Sequence, residues 1–526
     1  MSQIFNFKKN YFYYFLLIYC FYGIFLSLNV GITHDEPHNL LVWDLNKSKI
    51  LNTIFDKNYD VSLLEGGNKY YGSGFHLLSF PIESIIKLFF NNLNISQDAQ
   101  SLIIKHPSIF IFFIISSIYF RKIIFFVTKD KNYSSLCTIL YLTYPYLLGH
   151  SFFNVKDIPF LSVWLVCTFY VINIAKNFYK EKKIKNKYLI ILGILSAYLL
   201  SIRITGILIF IEYLIFFIFA ANLSNFNYFN FFRLFYKKII LFSLTILFLF
   251  YFLNPAYWSN PIEVINGIKA MSHYIQTVCT LTLGECMKAQ NLPSSYLPIW
   301  FFFKLPILIL FGLVFLLFKE KIFFSSTNNT LIIAPILISI LLIIFLLILL
   351  NVNLYDEIRQ VMFLIPLIFI ISMSAMFSLP KKISYSLISI FIIFFIFQNI
   401  KIYPYNYIWL NNLTVFTKVS NNFELDYWGV SSKKIALFLN KKNLNSGECI
   451  ISNRNNGIKG FIENKNICFL PFNNLHKKNV RPFYVALMER FTNKGLPNNC
   501  ENIYNEKVSI NFSRENLIMA KVFKCD

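Results

Sequence analysis

The sequence predicts an α-helical polytopic membrane protein with about eleven transmembrane helices, followed by a small α/β domain at its C-terminus. Composition is the first reason. Of the 526 residues, 56% are hydrophobic and 14% are charged, and the mean hydropathy is +0.54, which is far too apolar for a soluble protein. The second reason is the recurrence of apolar runs of membrane-spanning length along residues 1–400. The third is the concentration of lysine in the short loops between those runs.

The predicted spans are apolar segments that approach the ~20 residues a helix needs to cross a bilayer. They cover residues 11–30, 103–120, 133–149, 158–175, 188–202, 204–221, 239–253, 298–318, 328–350, 360–379 and 384–400. The two segments that flank Arg203 are equally compatible with one kinked span. Residues 75–90 are too interrupted to span, and they predict an amphipathic helix at the membrane interface.

Loop charges predict which side of the membrane each loop occupies. In a soluble protein the net charge of +23 would suggest nucleic-acid binding, but here much of the lysine lies between apolar runs and sets orientation, so we exclude that role. If the N-terminus is cytoplasmic, the inner loops carry Lys8, Lys9, Arg121, Lys122, Lys129, Lys131, six lysines between residues 176 and 187, Arg233, Lys237, Lys238, Lys319, Lys321, Lys381 and Lys382.

The positive-inside rule therefore predicts a multi-pass inner-membrane protein whose candidate site residues face outward. We expect residues 1–400 to form the transmembrane module, with a large first outer loop at residues 31–101. Residues 254–297 would form another outer loop. Residues 401–526 would form a periplasmic C-terminal domain.

The cysteines are compatible with that assignment. Three lie in predicted spans, two share an outer loop, and four share the tail: Cys20, Cys137 and Cys167; Cys279 and Cys286; Cys449, Cys468, Cys500 and Cys525. Even numbers in an oxidising compartment favour disulfides, and no Cys-x-x-Cys spacing indicates zinc. The spacing does not indicate which cysteines of the tail pair.

The polar cluster that directly follows the first span carries the main chemical signal. Here the adjacent carboxylates Asp35 and Glu36 are flanked by His34 and His38. Such a cluster can accept a proton, hold a divalent ion or orient a hydroxyl nucleophile. The alternative is a solvated loop that merely ends a helix, with Pro37 enforcing the stop.

A second constellation lies in a predicted short outer loop, residues 149–159. It contains His150 and the pair Lys156 and Asp157 at a span boundary. Ionisable groups near membrane depth are costly and often mark function. Snorkelling of Lys156 to the interface is the alternative.

Arg203 and Arg359 lie at the predicted outer ends of spans, where the positive-inside rule disfavours them. An anion should compensate, and a planar guanidinium matches a phosphate bidentately. For Arg359 the alternative is a local salt bridge to Asp356 or Glu357. For Arg203 the alternative is a hairpin between two spans that is held by snorkelling of the arginine side chain to the membrane interface.

These motifs together resemble the membrane glycosyltransferases of the GT-C superfamily. The resemblance rests on Asp35-Glu36 after the first span and on the segments at residues 149–159 (GHSFFNVKDIP), 203–206 (RITG), 254–261 (NPAYWSNP) and 355–366 (YDEIRQVMFLIP). The most similar branch is glycosyltransferase family 39, which includes dolichyl-phosphate-mannose protein mannosyltransferases and bacterial relatives such as lipid A aminoarabinose transferase. No segment resembles the β-trefoil luminal domain of the eukaryotic mannosyltransferases.

The resemblance implies inverting transfer of a sugar from a polyprenyl-phosphate donor to an envelope lipid, glycan or protein on the outer face. It implies that Asp35 is the general base and that Glu36 and Asp157 position the acceptor or a metal. Lys156, Arg203 and Arg359 would neutralise the departing lipid phosphate. His34, His38 and His150 would allow a divalent metal, or help to position the acceptor, without requiring a metal.

Two other functions share some of these sequence features. A polyprenyl-linked lipid transporter or flippase would also be basic inside, but the sequence shows neither paired repeats nor helices broken at the midplane. An O-antigen ligase or polymerase of the other GT-C branch would lack the acidic pair at residues 35–36. The clustering of polar chemistry at one face favours the transferase.

Overall fold

The computed structural model describes most of the chain. The described residues are 11–90, 95–274, 279–442, 444–445, 447–472, 483–488, 496, 499–510 and 515–525. Lys8 and Lys9, which the loop-charge analysis assigned to the cytoplasmic side, lie outside these ranges.

Helices dominate the first 402 residues, and each of the eleven predicted apolar segments contains one. They are α1 (Tyr11–Leu28), α2 (Glu36–Phe55), α3 (Ser62–Glu65), α4 (Gly74–Phe89), α5 (Gln97–Ile103), α6 (His106–Thr128), α7 (Lys131–Thr143), α8 (Pro145–Ser151), α9 (Asp157–Glu181), α10 (Asn186–Ile202), α11 (Ile209–Leu223), α12 (Tyr228–Leu253), α13 (Glu263–Ser272), α14 (Tyr296–Lys304), α15 (Ile307–Phe324), α16 (Thr327–Leu349), α17 (Leu364–Met376) and α18 (Lys381–Ile402). A two-stranded hairpin, β1 (Cys279–Thr282) and β2 (Glu285–Lys288), precedes α14.

By length and composition, seven helices of the described residues can cross a membrane, and the bent pair α14 and α15 makes an eighth. The shorter apolar helices α10 and α17 account for two more of the predicted spans. The span expected at residues 133–149 is divided at Tyr144, because Pro145 disfavours helical backbone at the residue before it. The segments around Arg203 are separate helices rather than one kinked span, since Arg203 itself is extended at φ −149° and ψ 131°.

The centre of the helical part is α17, which is buried along its whole length. α15 packs against it most extensively, and α6, α7, α9 and α16 also contact it. In α12, by contrast, apolar side chains such as Leu247 and Phe248 are exposed. A helix that is apolar on all sides is either enclosed by other helices or faces lipid. Hydropathy therefore does not predict which of these membrane helices are buried inside the bundle.

The two ends of the helical bundle differ in chemistry. At one end lie the basic loops, where Lys381 Nζ is 3.1 Å from Asp130 Oδ2 and Lys182 Nζ donates to Ser224 O. The other end, which we call the site face, carries residues 29–90, 95–105, 254–274, 279–297, 351–363 and 403–430. The structure therefore separates the predicted inner loops from the predicted site, as the loop charges indicated.

The acidic cluster opens a helix and does not end one. Glu36 is the first residue of α2, Asp35 occupies the preceding cap position, and Pro37 lies in the first turn. Proline is favoured there because the first-turn N–H groups have no partner within the helix. The helix-stop alternative is therefore wrong. Downstream, α4 is amphipathic as predicted, with Phe75 buried and Phe89 exposed.

The tail ends in a small α/β unit. Its elements are α19 (Val419–Asn422), α20 (Ser432–Asn440), β3 (Cys449–Ser452), α21 (Asn455–Lys459), β4 (Cys468–Pro471), β5 (Phe483–Met488), β6 (Cys500–Val508) and β7 (Leu517–Cys525). The five strands are ordered β4-β3-β5-β7-β6, with β3 parallel to both neighbours and β7 antiparallel to both of its own.

Disulfides join Cys449 to Cys468 and Cys500 to Cys525. Each pair lies directly opposite in register on neighbouring strands. The segment before the sheet is not a linker, because Tyr405, Tyr407 and Trp409 are buried in the same core as the membrane helices. Residues 403–430 thus pack with the helical part, beyond the predicted division at residue 400.

Candidate active site

A cavity of about 700 Å³ opens on the site face. It brings together side chains from the start of α2, from the turns before α9 and after α10, from the loop before α17, and from the tail. Seven of the predicted site residues line it: His34, Asp35, Glu36, His38, Lys156, Arg203 and Arg359. These residues span more than 300 positions of sequence, so their convergence is a result of the fold.

Asp35 presents the more accessible carboxylate of the acidic pair. Its side chain is 42% exposed, and its Oδ2 lies 3.4 Å from Arg359 Nη1. The position at the N-terminus of α2 places it beside unpaired backbone N–H groups, which favour negative charge. The carboxylate therefore contacts a guanidinium while it stays open to the cavity.

Glu36 is held differently, in a buried pair with His106. Thr33 Oγ1 donates to Glu36 Oε1 at 2.9 Å, and His106 Nε2 lies 3.1 Å from the same oxygen. His106 Nδ1 is 3.0 Å from Ser27 O. Because a carbonyl oxygen only accepts, His106 Nδ1 donates to Ser27 O. Glu36 is thus fixed in place beside Asp35.

Asp157 lies behind the cavity wall, only 2% exposed. Its Oδ2 accepts from Asn154 Nδ2 at 2.9 Å, and its Oδ1 accepts from Arg203 Nη1. Arg359 Nη1 is 3.9 Å from Oδ2. Asp157 is predicted to position an acceptor or a metal, but it does not line the cavity. Its two oxygens contact Asn154, Arg203 and Arg359 instead.

His150 is also displaced from its expected role. It is fully buried, with Nδ1 3.0 Å from Asn154 Nδ2 and Nε2 3.4 Å from Tyr427 OH. The side chain does not line the cavity and offers no ring nitrogen to a metal or acceptor. It supports Asn154, and through Asn154 it supports Asp157.

Lys156 sits at the cavity wall with its Nζ 4.1 Å from the centre of the Tyr71 ring. Among the described residues, no carboxylate oxygen lies within 4.0 Å of this ammonium. Burial, reinforced by the charge of Arg203, lowers the pKa of Lys156 to about 7. Gly72 lets the backbone after Tyr71 lie close to the end of α10, because a Cβ at residue 72 would be only 2.3 Å from Ile202 O.

The two arginines are not equivalent. Arg359 is almost fully buried, and its Nη2 lies 3.1 Å from Asp356 Oδ2, so the predicted alternative of a local salt bridge is realised. Its guanidinium also stacks on Trp428 at 4.6 Å. Arg203 keeps 20% of its side chain exposed. Arg203 and Lys156 are therefore the better placed cations for an incoming anion.

A narrow apolar cavity of about 110 Å³ adjoins the main one. The two share Lys156 and Arg203, and the smaller cavity continues between Leu208, Leu347 and Phe363. An anionic group attached to a long hydrocarbon chain fits this combination, with its charge at the cations and its chain between the apolar side chains.

Several lining residues were not identified as site residues from the sequence. They are Tyr70, Tyr71, Tyr274, Tyr355, Tyr427, Trp428 and Arg454, together with His106 behind Glu36. The tail contributes directly, since His34 N donates to Trp428 O at 3.0 Å. The sequence gives no signal for His106 as a site residue, because its partner Glu36 lies 70 positions away.

Two of the three histidines predicted for a metal or for acceptor positioning lie at the cavity. His34 and His38 line the cavity and are exposed, whereas His150 is buried elsewhere. Within the described ranges, no group of three or more His, Cys, Asp or Glu side chains is arranged to hold a metal ion.

Comparison with known proteins gave matches among solved structures only. No protein-family model matches the chain, and no curated protein sequence matches it significantly. Two crystal structures of ArnT from Cupriavidus metallidurans are similar to it at 9% identity. The one bound to undecaprenyl phosphate has a TM-score of 0.45 over 98% of both chains. The apo structure has a TM-score of 0.47 over 97% of both.

Proposed function

We propose that this protein is an inverting GT-C glycosyltransferase. It moves a sugar from a polyprenyl-phosphate donor to an envelope lipid, glycan or protein on the outer face of the membrane. The observation that carries this proposal is one cavity in which an accessible carboxylate, Asp35, lies near two cations, Lys156 and Arg203, at the mouth of an apolar cleft. That combination suits a reaction between a hydroxyl group and a sugar on a lipid phosphate.

The donor would bind by both of its parts. Its phosphate lies at Arg203 and Lys156, where the guanidinium can form two parallel hydrogen bonds and the ammonium adds a third donor. The first isoprene units lie along Leu208, Leu347 and Phe363. Asp157 holds Arg203 in place from behind.

The transfer step then uses Asp35 as general base. Asp35 takes the proton of an acceptor hydroxyl as its oxygen attacks the anomeric carbon from the side opposite the phosphate. The new carbon–oxygen bond forms while the bond to the phosphate oxygen breaks, and polyprenyl phosphate leaves with the electron pair. The configuration inverts because attack and departure occur on opposite faces. Cations at the leaving phosphate stabilise the charge that develops there.

Reconstitution tests the proposal. Purified full-length protein in sealed lipid vesicles would be given undecaprenyl-phosphate-linked hexoses and pentoses, with lipid extract from a deletion strain as acceptor. We expect release of undecaprenyl phosphate and an extract component heavier by one sugar, with the inverted anomer. Movement of the donor between leaflets without cleavage of the glycosidic bond would instead establish the flippase alternative. Mass spectrometry of the deletion strain's envelope would identify the acceptor.

Donor affinity should depend on pH through Lys156. The pKa of its ammonium is lowered to about 7 in the free protein, so the charge is present below that pH and lost above it. Because phosphate binds the charged form, affinity for undecaprenyl phosphate should fall above pH 7, by up to about tenfold per pH unit. Binding would be measured between pH 7.5 and 9.5, where the lipid phosphate is fully ionised.

Two variants control this measurement. Lys156→Gln removes the titrating group, so its affinity should be low and independent of pH. Lys156→Arg keeps its charge across the range, so its affinity should also be flat but higher. The same decline with pH in Lys156→Arg as in the wild type would exclude Lys156 as the cause.

We place the site face on the periplasmic side of the membrane, as the positive-inside rule predicts. Single cysteines should react with a membrane-impermeant maleimide in intact cells at two exposed positions, Glu65 on the site face and Lys442 in the C-terminal α/β unit. A cysteine at Lys183, an exposed position in a basic loop, should react only after the membrane is permeabilised. The reverse pattern would contradict the orientation.

A further inference from the structure

The loop that carries Arg359 contains an unusual backbone. Asp356 and Glu357, two consecutive residues with side chains, have φ angles of +55° and +66°. L-residues other than glycine rarely adopt this left-handed region, and such strain persists only where surrounding contacts hold it. The contacts that hold residues 356 and 357 in this conformation therefore indicate the function of the loop.

Two sets of buried contacts hold the loop. Asp356 N donates to Thr280 Oγ1 at 2.9 Å, and Tyr296 OH donates to Glu357 O at 3.2 Å. The Glu357 carboxylate lies 2.8 Å from Lys304 Nζ, with both side chains fully buried. Burial raises the pKa of Glu357 to about 8. The loop is thus fastened to β1 and to α14 at successive residues.

The other side of the loop faces the site. Asp356 Oδ2 lies 3.1 Å from Arg359 Nη2, and Arg359 Nη1 lies 3.4 Å from Asp35 Oδ2. The amide of Asp356 is held by Thr280, whereas its carboxylate holds Arg359. A continuous path of polar contacts therefore runs from β1 to Asp35, although Thr280 itself does not line the cavity.

Thr280 belongs to a rigid hairpin. A disulfide joins Cys279 of β1 to Cys286 of β2, and the two-residue turn at Leu283 and Gly284 has both φ angles positive, as the tightest hairpin turns require. Trp300 Nε1 donates to the hairpin at Thr282 Oγ1, at 3.0 Å.

The tail fastens the same hairpin from another side. Glu424 N donates to Leu281 O at 2.9 Å, and Leu281 N donates to Glu424 Oε2 at 3.0 Å. The hairpin therefore cannot shift without disturbing both α14 and the tail.

We propose that the disulfide hairpin of β1 and β2 is a positioning element for sugar transfer, in which Thr280 fixes the strained Asp356–Glu357 loop and thereby sets Arg359 at Asp35. This inference rests on the proposed function, because it assigns the hairpin to the base of that reaction. Donor binding at Lys156 and Arg203 does not use the hairpin. A loosened hairpin consequently lowers turnover and leaves donor affinity unchanged.

The substitution Thr280→Val tests the contact, because it keeps the shape of the side chain and removes the oxygen that accepts from Asp356 N. We expect kcat to fall roughly 10- to 100-fold, as for other small misplacements of reacting groups. The Kd for undecaprenyl phosphate should stay within about twofold of wild type, and Thr280→Ser, which restores the oxygen, should recover most of the turnover. A Thr280→Val enzyme with wild-type kcat would overturn the proposal.

Hydrogen exchange supplies a readout that needs no activity. In Thr280→Val, the backbone amides of residues 355–361 should exchange faster, while those of α17 and of the C-terminal α/β unit should keep their protection. Unchanged exchange in residues 355–361 would also overturn the proposal. Should wild-type protein transfer no sugar, the proposed function fails, and the exchange measurement still reports whether the hairpin holds the loop.

Removal of the disulfide between Cys279 and Cys286 provides an independent test. The double variant Cys279→Ala/Cys286→Ala should show the same loss of kcat and the same faster exchange. The matched control is Cys500→Ala/Cys525→Ala, which removes the disulfide between β6 and β7 of the C-terminal α/β unit. Equal losses of kcat in the two double variants would show a general effect of disulfide loss and overturn a specific role for the hairpin.

Discussion

Replacing Asp35 with asparagine should nearly abolish sugar transfer while leaving donor binding intact. The amide is almost isosteric with the carboxylate but cannot accept the acceptor's proton, so we expect turnover to fall by about 10²–10⁴, the range for loss of a general base. Arg359, 3.4 Å from Oδ2, can still contact the amide oxygen. Purified Asp35→Asn would be assayed for release of undecaprenyl phosphate from its glycosylated form, and for binding of undecaprenyl phosphate.

Glu36→Gln is the matched comparison, because it makes the same change at the neighbouring residue. The glutamine oxygen can still accept from Thr33 Oγ1, so the side chain keeps its place and the loss should be much smaller than in Asp35→Asn. An Asp35→Asn enzyme within threefold of wild type would end the assignment of the base. Equal losses in both variants would indicate that the pair acts as one unit.

Replacing Arg203 with alanine should weaken donor binding strongly. A hydrogen bond to a charged group contributes about 1.5–3 kcal/mol, which corresponds to a roughly 10- to 150-fold increase in the Kd for undecaprenyl phosphate. Loss of the guanidinium also releases Asp157 Oδ1, but Asp157 keeps Asn154 and Arg359 as partners. The protein should therefore stay folded, which its thermal unfolding would check.

Two further variants define the role of Arg203. Arg203→Lys should restore affinity only in part, since lysine keeps the charge but lacks the planar fork. Arg233→Ala removes an exposed arginine from a predicted inner region and should leave the Kd unchanged. Wild-type affinity in a folded Arg203→Ala protein would remove Arg203 from the donor site.

The membrane helices could be read from the sequence because their cause is local. In lipid, every backbone polar group must be satisfied within the segment, so a sufficiently long apolar run forms a helix whatever its neighbours are. Proline positions show the limit of that reasoning. Pro145 and Pro306 break predicted spans, while Pro335 lies inside the continuous helix α16. Local sequence does not distinguish these outcomes, because neighbouring helices can satisfy a freed carbonyl.

The roles of individual site residues needed the tertiary structure. The sequence predicted Asp157 and His150 as site residues, yet both lie behind the cavity wall. A sequence shows that a residue is ionisable and near a span end, but not which way its side chain points. Only the packing of α9 against α10 and the tail shows that Asp157 supports an arginine.

Hydropathy, loop charge and neighbouring residues were enough to predict the class of the protein, the separation of its basic loops from its polar site, and the candidate residues Asp35, Lys156 and Arg203. The pairing of Glu36 with His106, the disulfide partners, and the entry of the tail into the cavity became visible only in the folded chain. Glu36 and His106 lie 70 positions apart and the tail follows the last membrane helix, and hydropathy carries no information about which distant segments meet. The disulfide partners depend on the register of neighbouring strands, which cysteine spacing does not reveal.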